Sequence, residues 1–313
     1  MKKNTMEIVN FLLMYTQMLI MILMIMLAVA FFSLFERKIL SYVHYRKGPN
    51  KVIVNGILQP FADAIKLVCK DDSPIPWSNS LLYYMSPLVM FTISLTCWWT
   101  FPLYSVIFSN KYSIITIVLL MGMGVYGILI SGWSSNSKYA MIGSMRSIAQ
   151  SISYEVIMSF SFLSFMLILS DYSFYSFYNF KFLSFLLLCP MFFLIFFTSS
   201  LAELGRSPFD LAEGESELVS GYSIEYGGVN YTLIFLSENV MIFVSSFILT
   251  YMFLGQFNQP LSFLSFTFIL FLVCVIRGIV PRIRYDQMMM LCWQKLLPMI
   301  LVVFNIMLLM KYI

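Results

Sequence analysis

Residues 11–35 read FLLMYTQMLIMILMIMLAVAFFSLF, 25 positions without a charged side chain. At about 1.5 Å per residue, a helix of that length rises further than the ~30 Å hydrocarbon core of a bilayer. The pattern recurs near 81–102, 112–131, 149–170, 181–201, 231–254, 261–281 and 291–311, so eight spans are expected. Backbone polar groups find no water in lipid, which makes each run a helix, and the period-two alternation of barrel strands is absent. The expected fold is an all-α integral membrane protein, with residues 1–313 forming one polytopic domain. A mean hydropathy of +0.85 excludes a soluble globular domain. The 24 Met and 31 Phe are exchangeable lipid-facing residues. Their excess reads as coding bias, such as an AT-rich organellar genome or a biased bacterial one produces.

An even number of spans puts both termini on one side and segments 36–80, 132–148, 202–230 and 282–290 on the other. Counting adjoining helix ends, that second side holds 14 of the 19 Lys and Arg; Lys2, Lys3, Lys111, Lys181 and Lys311 are the rest. By the positive-inside rule these loops face the cytoplasm or the mitochondrial matrix. The net charge of +4 then reports topology and not a nucleic-acid partner. The opening MKKNTMEIVN is not Arg-rich enough for a transit peptide, and no small-residue cleavage site follows the first span.

Some chemistry is not expected of this chain. Cys69, Cys97, Cys189, Cys274 and Cys292 are scattered, whereas iron–sulfur and zinc sites need clustered thiolates. The single histidine, His44, cannot build a bis-histidine haem site. Neither GxxxxGK[ST] nor GxGxxG occurs. Electrons in any redox reaction must therefore be carried by a partner or a diffusible molecule. No catalytic residue and no metal site is assigned.

The polar loops carry the remaining information. FERKILSYVHYRKGPNKV at 35–52 places Glu36, Arg37 and Lys38 where the first span ends, with Arg46, Lys47 and Lys51 beyond. A basic anchor explains the cations, but a carboxylate at a span end is unfavourable unless paired or hydrated. After the turn signal Gly48-Pro49-Asn50, Ile57, Phe61, Ile65 and Val68 recur at helical spacing, with Pro60 suited to a first turn. This predicts a short amphipathic surface helix over 57–70, with Asp63 and Lys66 spaced to pair across one turn. The segment GWSSNSKYAMIGSMRSIAQSISYEV at 132–156 is rich in small residues that permit close helix packing. It brings Glu155 into the fourth span, where an ionisable residue is a functional candidate; a structural pair with Arg146 is the alternative.

Residues 202–226, AELGRSPFDLAEGESELVSGYSIEY, hold six carboxylates and one arginine, Arg206. Ser207-Pro208 predicts a helix start, with Asp210 complementing its dipole. Asp210, Glu213 and Glu217 then fall at i, i+3 and i+7 on one face, while Glu203 lies before the proline break. A solvated acidic face is one reading. The other is a desolvated cluster in which like charges share protons, as a relay requires. Glu238 extends the series into the sixth span. Arg277, Arg282 and Arg284 in VIRGIVPRIRYDQMMM lie on the same side, as anchors, as counter-charges to the acids or as a hold on a partner subunit.

In these segments the chain resembles the chain 1 family of mitochondrially encoded NADH:ubiquinone oxidoreductase, respiratory complex I. The resemblance rests on ERKILSYVHYRKGPNKV, LQPFADAIKL, GWSSNSKYAMIGSMRSIAQSISYEV, AELGRSPFDLAEGESELVSGYSIEY and PRIRYDQMMMLCW, in family order across essentially the whole chain. Leu204-Gly205 replaces the family's usual polar pair, Ser144 replaces a usual Gly or Ala, and the position of His44 is variable there. The resemblance implies a subunit at the joint of the membrane and matrix arms, lining a ubiquinone chamber. Glu36, Arg37, Arg46 and Asp63 match positions of that chamber and its mouth, framed by the surface helix that carries Phe61. Glu155, Glu203, Asp210, Glu213, Glu215, Glu225 and Glu238 match its acidic proton path, to which the spacing adds Glu217. Arg206, Arg277, Arg282 and Arg284 are the supporting cations.

The resemblance further implies ubiquinone as substrate, with FMN and iron–sulfur clusters in partner subunits and none bound by this chain. Implied partners are the peripheral-arm subunits of the quinone site, the other membrane-arm subunits and phospholipid. The implied location is the mitochondrial inner membrane, with the loops facing the matrix and synthesis inside the organelle. Two rivals share the intramembrane carboxylates: a stand-alone cation/proton antiporter, and the membrane anchor of a related hydrogenase complex.

Overall fold

An apolar chain in lipid must satisfy its own backbone, and helices do so over most of the described residues. The computed structural model describes residues 2–52, 54–72, 76–101, 111–174, 176, 186, 189–211, 221–254 and 259–312. Ten α-helices occur among them: α1 (Lys2–Val43), α2 (Gln59–Val68), α3 (Ser80–Cys97), α4 (Ser113–Ser134), α5 (Lys138–Leu169), α6 (Pro190–Glu203), α7 (Gly228–Leu249), α8 (Gln259–Ile279), α9 (Tyr285–Met290) and α10 (Leu297–Tyr312). Short π-helical stretches extend α7 over Thr250–Leu254 and join α9 to α10 over Leu291–Leu296.

Seven helical runs among the described residues are long and apolar enough to cross a membrane. The expected eighth, over 181–201, corresponds to the 14-residue α6. Residues 181–185, 187 and 188 of that expected span lie outside the described residues. The surface helix forms as α2, with Pro60 in its first turn.

Two boundaries differ from the sequence reading. The first helix runs on to Val43, so Glu36 sits inside it and not at its exit. The fourth spanning helix starts at Lys138, which shrinks the expected loop 132–148 to Ser135, Asn136 and Ser137. Polar composition there suggested a loop, but no proline interrupts 138–156. Its serines hand their hydroxyls to carbonyls three residues back, as Ser144 does to Met141 and Ser147 to Ser144. Such bonds let a serine sit in a helix without competing for the backbone partners beyond it. The same device serves at Pro87 inside α3. The carbonyl of Tyr83, four residues earlier, cannot receive the proline's missing N–H and instead accepts the Ser86 hydroxyl at 3.3 Å.

In the bundle, α5 lies against α4, α6 and α10, α7 lies against α3, and α1 lies against α7 and α8. The polar segments meet one another. Asn79 N–H donates to Ser134 O at 3.0 Å, Ile283 N–H to Pro208 O at 3.0 Å, and Asn230 reaches Asp72 at 3.5 Å. Residues 221–227 are pinned by Tyr226, whose ring stacks on Tyr83 at 4.4 Å and 4°. The Tyr226 hydroxyl lies 2.9 Å from Ser86 and 3.1 Å from Ser134.

Candidate functional site

The site is organised by the end of α6. Gly205 adopts φ +60°, a left-handed conformation that costs glycine little. The N–H groups of Gly205 and Arg206 then bond back to Ala202 O at 3.2 Å and Leu201 O at 3.4 Å. This closes the helix in a Schellman turn and sends Arg206 inward.

Arg206 is 8% exposed and has two carboxylates within 4 Å. Its Nη1 lies 3.8 Å from Glu36 Oε1 on α1. Its Nη2 lies 3.9 Å from Glu238 Oε2 on α7 and donates to Asn239 Oδ1 at 3.0 Å. Glu36 is also bound by Arg277 of α8, and Glu238 accepts the Tyr222 hydroxyl. The result is an alternating line, Arg277–Glu36–Arg206–Glu238–Tyr222, in which one guanidinium is shared by two carboxylates. Unit charges 4 Å apart interact by roughly 4 kcal/mol in a partly buried setting, so a charge change on either acid is felt by the other.

Beside this line, between α3, α4, α5, α7 and the end of α6, lies a cavity of about 130 Å³. Glu155, Glu203, Glu238, Arg206 and Gln150 line it. The Glu155 carboxylate occupies the space that a Cβ on Gly122 would fill. Gln150 is 3% exposed and donates through Nε2 to Ala202 O and Phe209 O, each at 2.7 Å. Gln150 Oε1 and Glu203 Oε2 are buried and find no hydrogen-bond partner among the described residues.

The helix expected from Ser207-Pro208 does not begin there. Residues 207–211 are not helical, with a turn at Ser207-Pro208 that contains a cis peptide bond. The carbonyls that a first helical turn would use are taken elsewhere, Pro208 O by Ile283 and Phe209 O by Gln150. Asp210 therefore lies outside a helix, paired with Arg282 at 3.1 Å. Glu213, Glu215 and Glu217 lie outside the described residues.

The chamber-mouth candidates divide. Glu36 joins the buried line, whereas Arg37 pairs with Asp63 at the surface. Asp63 also accepts Gln59 Nε2 at 3.0 Å; its partners are these two and not Lys66, because the fold brings the α1 cation over α2. The Phe61 ring meets Phe31 edge-on at 6.0 Å. Arg46 is exposed beyond α1. Arg284 pairs locally with Asp286 at 3.0 Å and does not join the acids. Glu225 contributes its carbonyl, which accepts the Tyr83 hydroxyl at 2.6 Å. Sequence reasoning missed Gln150, Asn239 and Tyr222. The first two are amides inside apolar helices, a signal of the same kind that singled out Glu155.

Comparison with known proteins identifies the family. A family model described as NADH dehydrogenase matches residues 16–308. The chain is 44% identical over 284 residues to NADH-ubiquinone oxidoreductase chain 1 of Locusta migratoria, covering 90% of each protein. It is 42% identical over 287 residues to the protein of that name from Apis mellifera ligustica, covering 91% of this chain and 93% of the relative. A third relative of the same name, from Aedes aegypti, is 41% identical over 283 residues, with 90% of each covered. With a family model spanning nearly its whole length and relatives this similar end to end, the chain belongs to the NADH dehydrogenase family.

Proposed function

We propose that this chain is the membrane subunit of NADH:ubiquinone oxidoreductase that walls the ubiquinone chamber and links quinone reduction to proton translocation. Its relatives' shared name and its membrane-length helices support the coarser part, a multi-pass membrane subunit of that enzyme in the mitochondrial inner membrane. One observation carries the finer part: Arg206 is held between Glu36, on the helix that ends toward α2, and Glu238, on the wall of the acid-lined cavity.

Quinone reduction creates negative charge and a demand for protons at the chamber. Glu36 feels that charge, and its pull on Arg206 and Arg277 changes. When Arg206 moves toward Glu36 it leaves Glu238, whose proton occupancy must then change; Glu203 and Glu155 share the cavity and respond in turn. Asp210 and Arg282 anchor the turn below. Glu213, Glu215, Glu217 and Glu225 continue the proposed path, and Arg37, Arg46, Phe61 and Asp63 form the proposed mouth. Arg284, paired with its neighbour Asp286, remains a membrane-side anchor.

The four polar segments face the matrix in this reading, and the chain is made inside the organelle. FMN and iron–sulfur clusters belong to partner subunits of the peripheral arm. Other membrane-arm subunits and phospholipid cover the remaining surface.

The test is Glu238→Gln in the assembled complex. Quinone reductase turnover and proton translocation are expected to fall by about a hundredfold, the low end of what one positioned acid–base group contributes. Native values for both would sink the relay.

A further inference from the structure

We infer that Tyr222 is a positioning residue of the buried charge line: its hydroxyl holds the Glu238 carboxylate off Arg206, so that the pair stays open. This rests on the acid-path reading above. Glu238 turns its two oxygens to different neighbours. Oε1 accepts the Tyr222 hydroxyl, while Oε2 stands 3.9 Å from Arg206 Nη2. An N–H···O hydrogen bond spans about 2.7–3.2 Å, so the guanidinium is a charge near Glu238 and not its donor. Among the described residues, the tyrosine makes the one hydrogen bond to this carboxylate.

The gap needs a cause. Opposite charges attract more strongly the closer they come, and about 1 Å of travel would bring these two into contact. Each partner is held back. Arg206 commits Nη2 to Asn239 Oδ1 at 3.0 Å and turns Nη1 toward Glu36 at 3.8 Å. Glu238 is held by Tyr222. The tyrosine is itself fixed: it is 3% exposed and belongs to the short helical turn Gly221–Ser223, which lies against α5. A Cβ on Gly143 of α5 would stand 3.0 Å from Gly221 Cα and 3.1 Å from Tyr222 N, so a side chain there would push the turn away. A phenol hydroxyl is a neutral donor, and it holds a carboxylate without cancelling its charge as a second arginine would. When Arg206 moves toward Glu36, Glu238 keeps a partner and its place.

The resting wild-type complex gives the first test. A map that resolves side chains should show the Tyr222 hydroxyl at hydrogen-bond distance from Glu238, with Arg206 beyond it; Arg206 in direct contact with that carboxylate overturns the inference. Tyr222→Phe removes the hydroxyl and keeps the ring. In this variant the gap between Glu238 and Arg206 should close to a direct hydrogen bond, and an unchanged gap overturns the inference. Turnover per assembled complex is expected to fall about tenfold, the low end for one hydrogen bond to a charged group. The KM for ubiquinone should be unchanged. A double-mutant cycle separates positioning from packing: Tyr222→Phe should cost nothing further in a Glu238→Gln background. The same tenfold loss there means that the tyrosine acts elsewhere, and also overturns the inference. Glu238→Gln alone separates this idea from its foundation. If Glu238→Gln is fully active, the acid path itself falls. If Glu238→Gln is slow and Tyr222→Phe is not, the path stands and Tyr222 has no part in it.

Discussion

Along α5, α6 and α7 the chain builds two buried regions some 7 to 15 residues apart. At one, Phe165, Phe192, Phe193 and Phe196 surround Phe253, and successive ring centroids stand 4.9 to 5.5 Å apart. At the other, the same helices supply Glu155, Glu203 and Glu238 around a cavity beside Arg206. Aromatic rings hold together by shape, fill space and tolerate no void. Charges and amides hold together by direction, and here they leave room for a second component. Both regions are buried and both are made of apolar-looking helices. The difference lies in whether the contacts close on themselves or leave groups whose partners must come from elsewhere.

The contrast can be broken most severely at Arg206. Arg206→Leu leaves Glu36 and Glu238 facing each other across a buried gap. Removing one member of a buried charge network costs about 3–5 kcal/mol, so loss of the assembled complex on native gels is expected. At the aromatic region, Phe253→Ala opens a void at a ring that is 0% exposed. The expected cost is about 3 kcal/mol, at the low end for such truncations because lipid is as apolar as the core. Thermal inactivation should occur earlier, while turnover before inactivation stays native. An equal loss of turnover would mean that the two regions are not independent.

Tyr226 combines both strategies and gives the smallest effect. Tyr226→Phe keeps the stack on Tyr83 and removes the hydroxyl contacts to Ser86 and Ser134, at a cost of about 1 kcal/mol in thermal inactivation assays. Burial pushes the Tyr226 hydroxyl above the ordinary tyrosine value of 10.0, the two serine bonds opposing part of that rise. The folded state therefore holds this proton more tightly than the unfolded chain. Its contribution is full below pH about 10 and is lost as pH climbs beyond. Wild type should lose stability above that pH more steeply than Tyr226→Phe does.

Periodicity alone located α2, because Ile57, Phe61, Ile65 and Val68 must share a face whatever surrounds them. Hydropathy located the spans, because the energy of an unpaired backbone in lipid does not depend on which helices are neighbours. Glu36, Glu155 and Glu238 were legible as misplaced charges for the same reason. Partners were not legible. Asp63 pairs with Arg37, 26 residues away, and not with Lys66 three residues on. A one-turn pair is worth a few tenths of a kcal/mol, too little to prevail against a tertiary cation. The helix start at Ser207-Pro208 was a sound local signal that lost to Gln150 and Ile283, which claim the carbonyls it needed.

The sequence by itself determined that this protein is a bundle of membrane helices with acids where acids are costly, since both follow from transfer energies that act residue by residue. Only the tertiary structure decided that Arg206 is shared between Glu36 and Glu238, and that Glu155, Glu203 and Gln150 face one cavity. Those relations depend on the directions in which four separate helices approach, and no local energy along the chain encodes them.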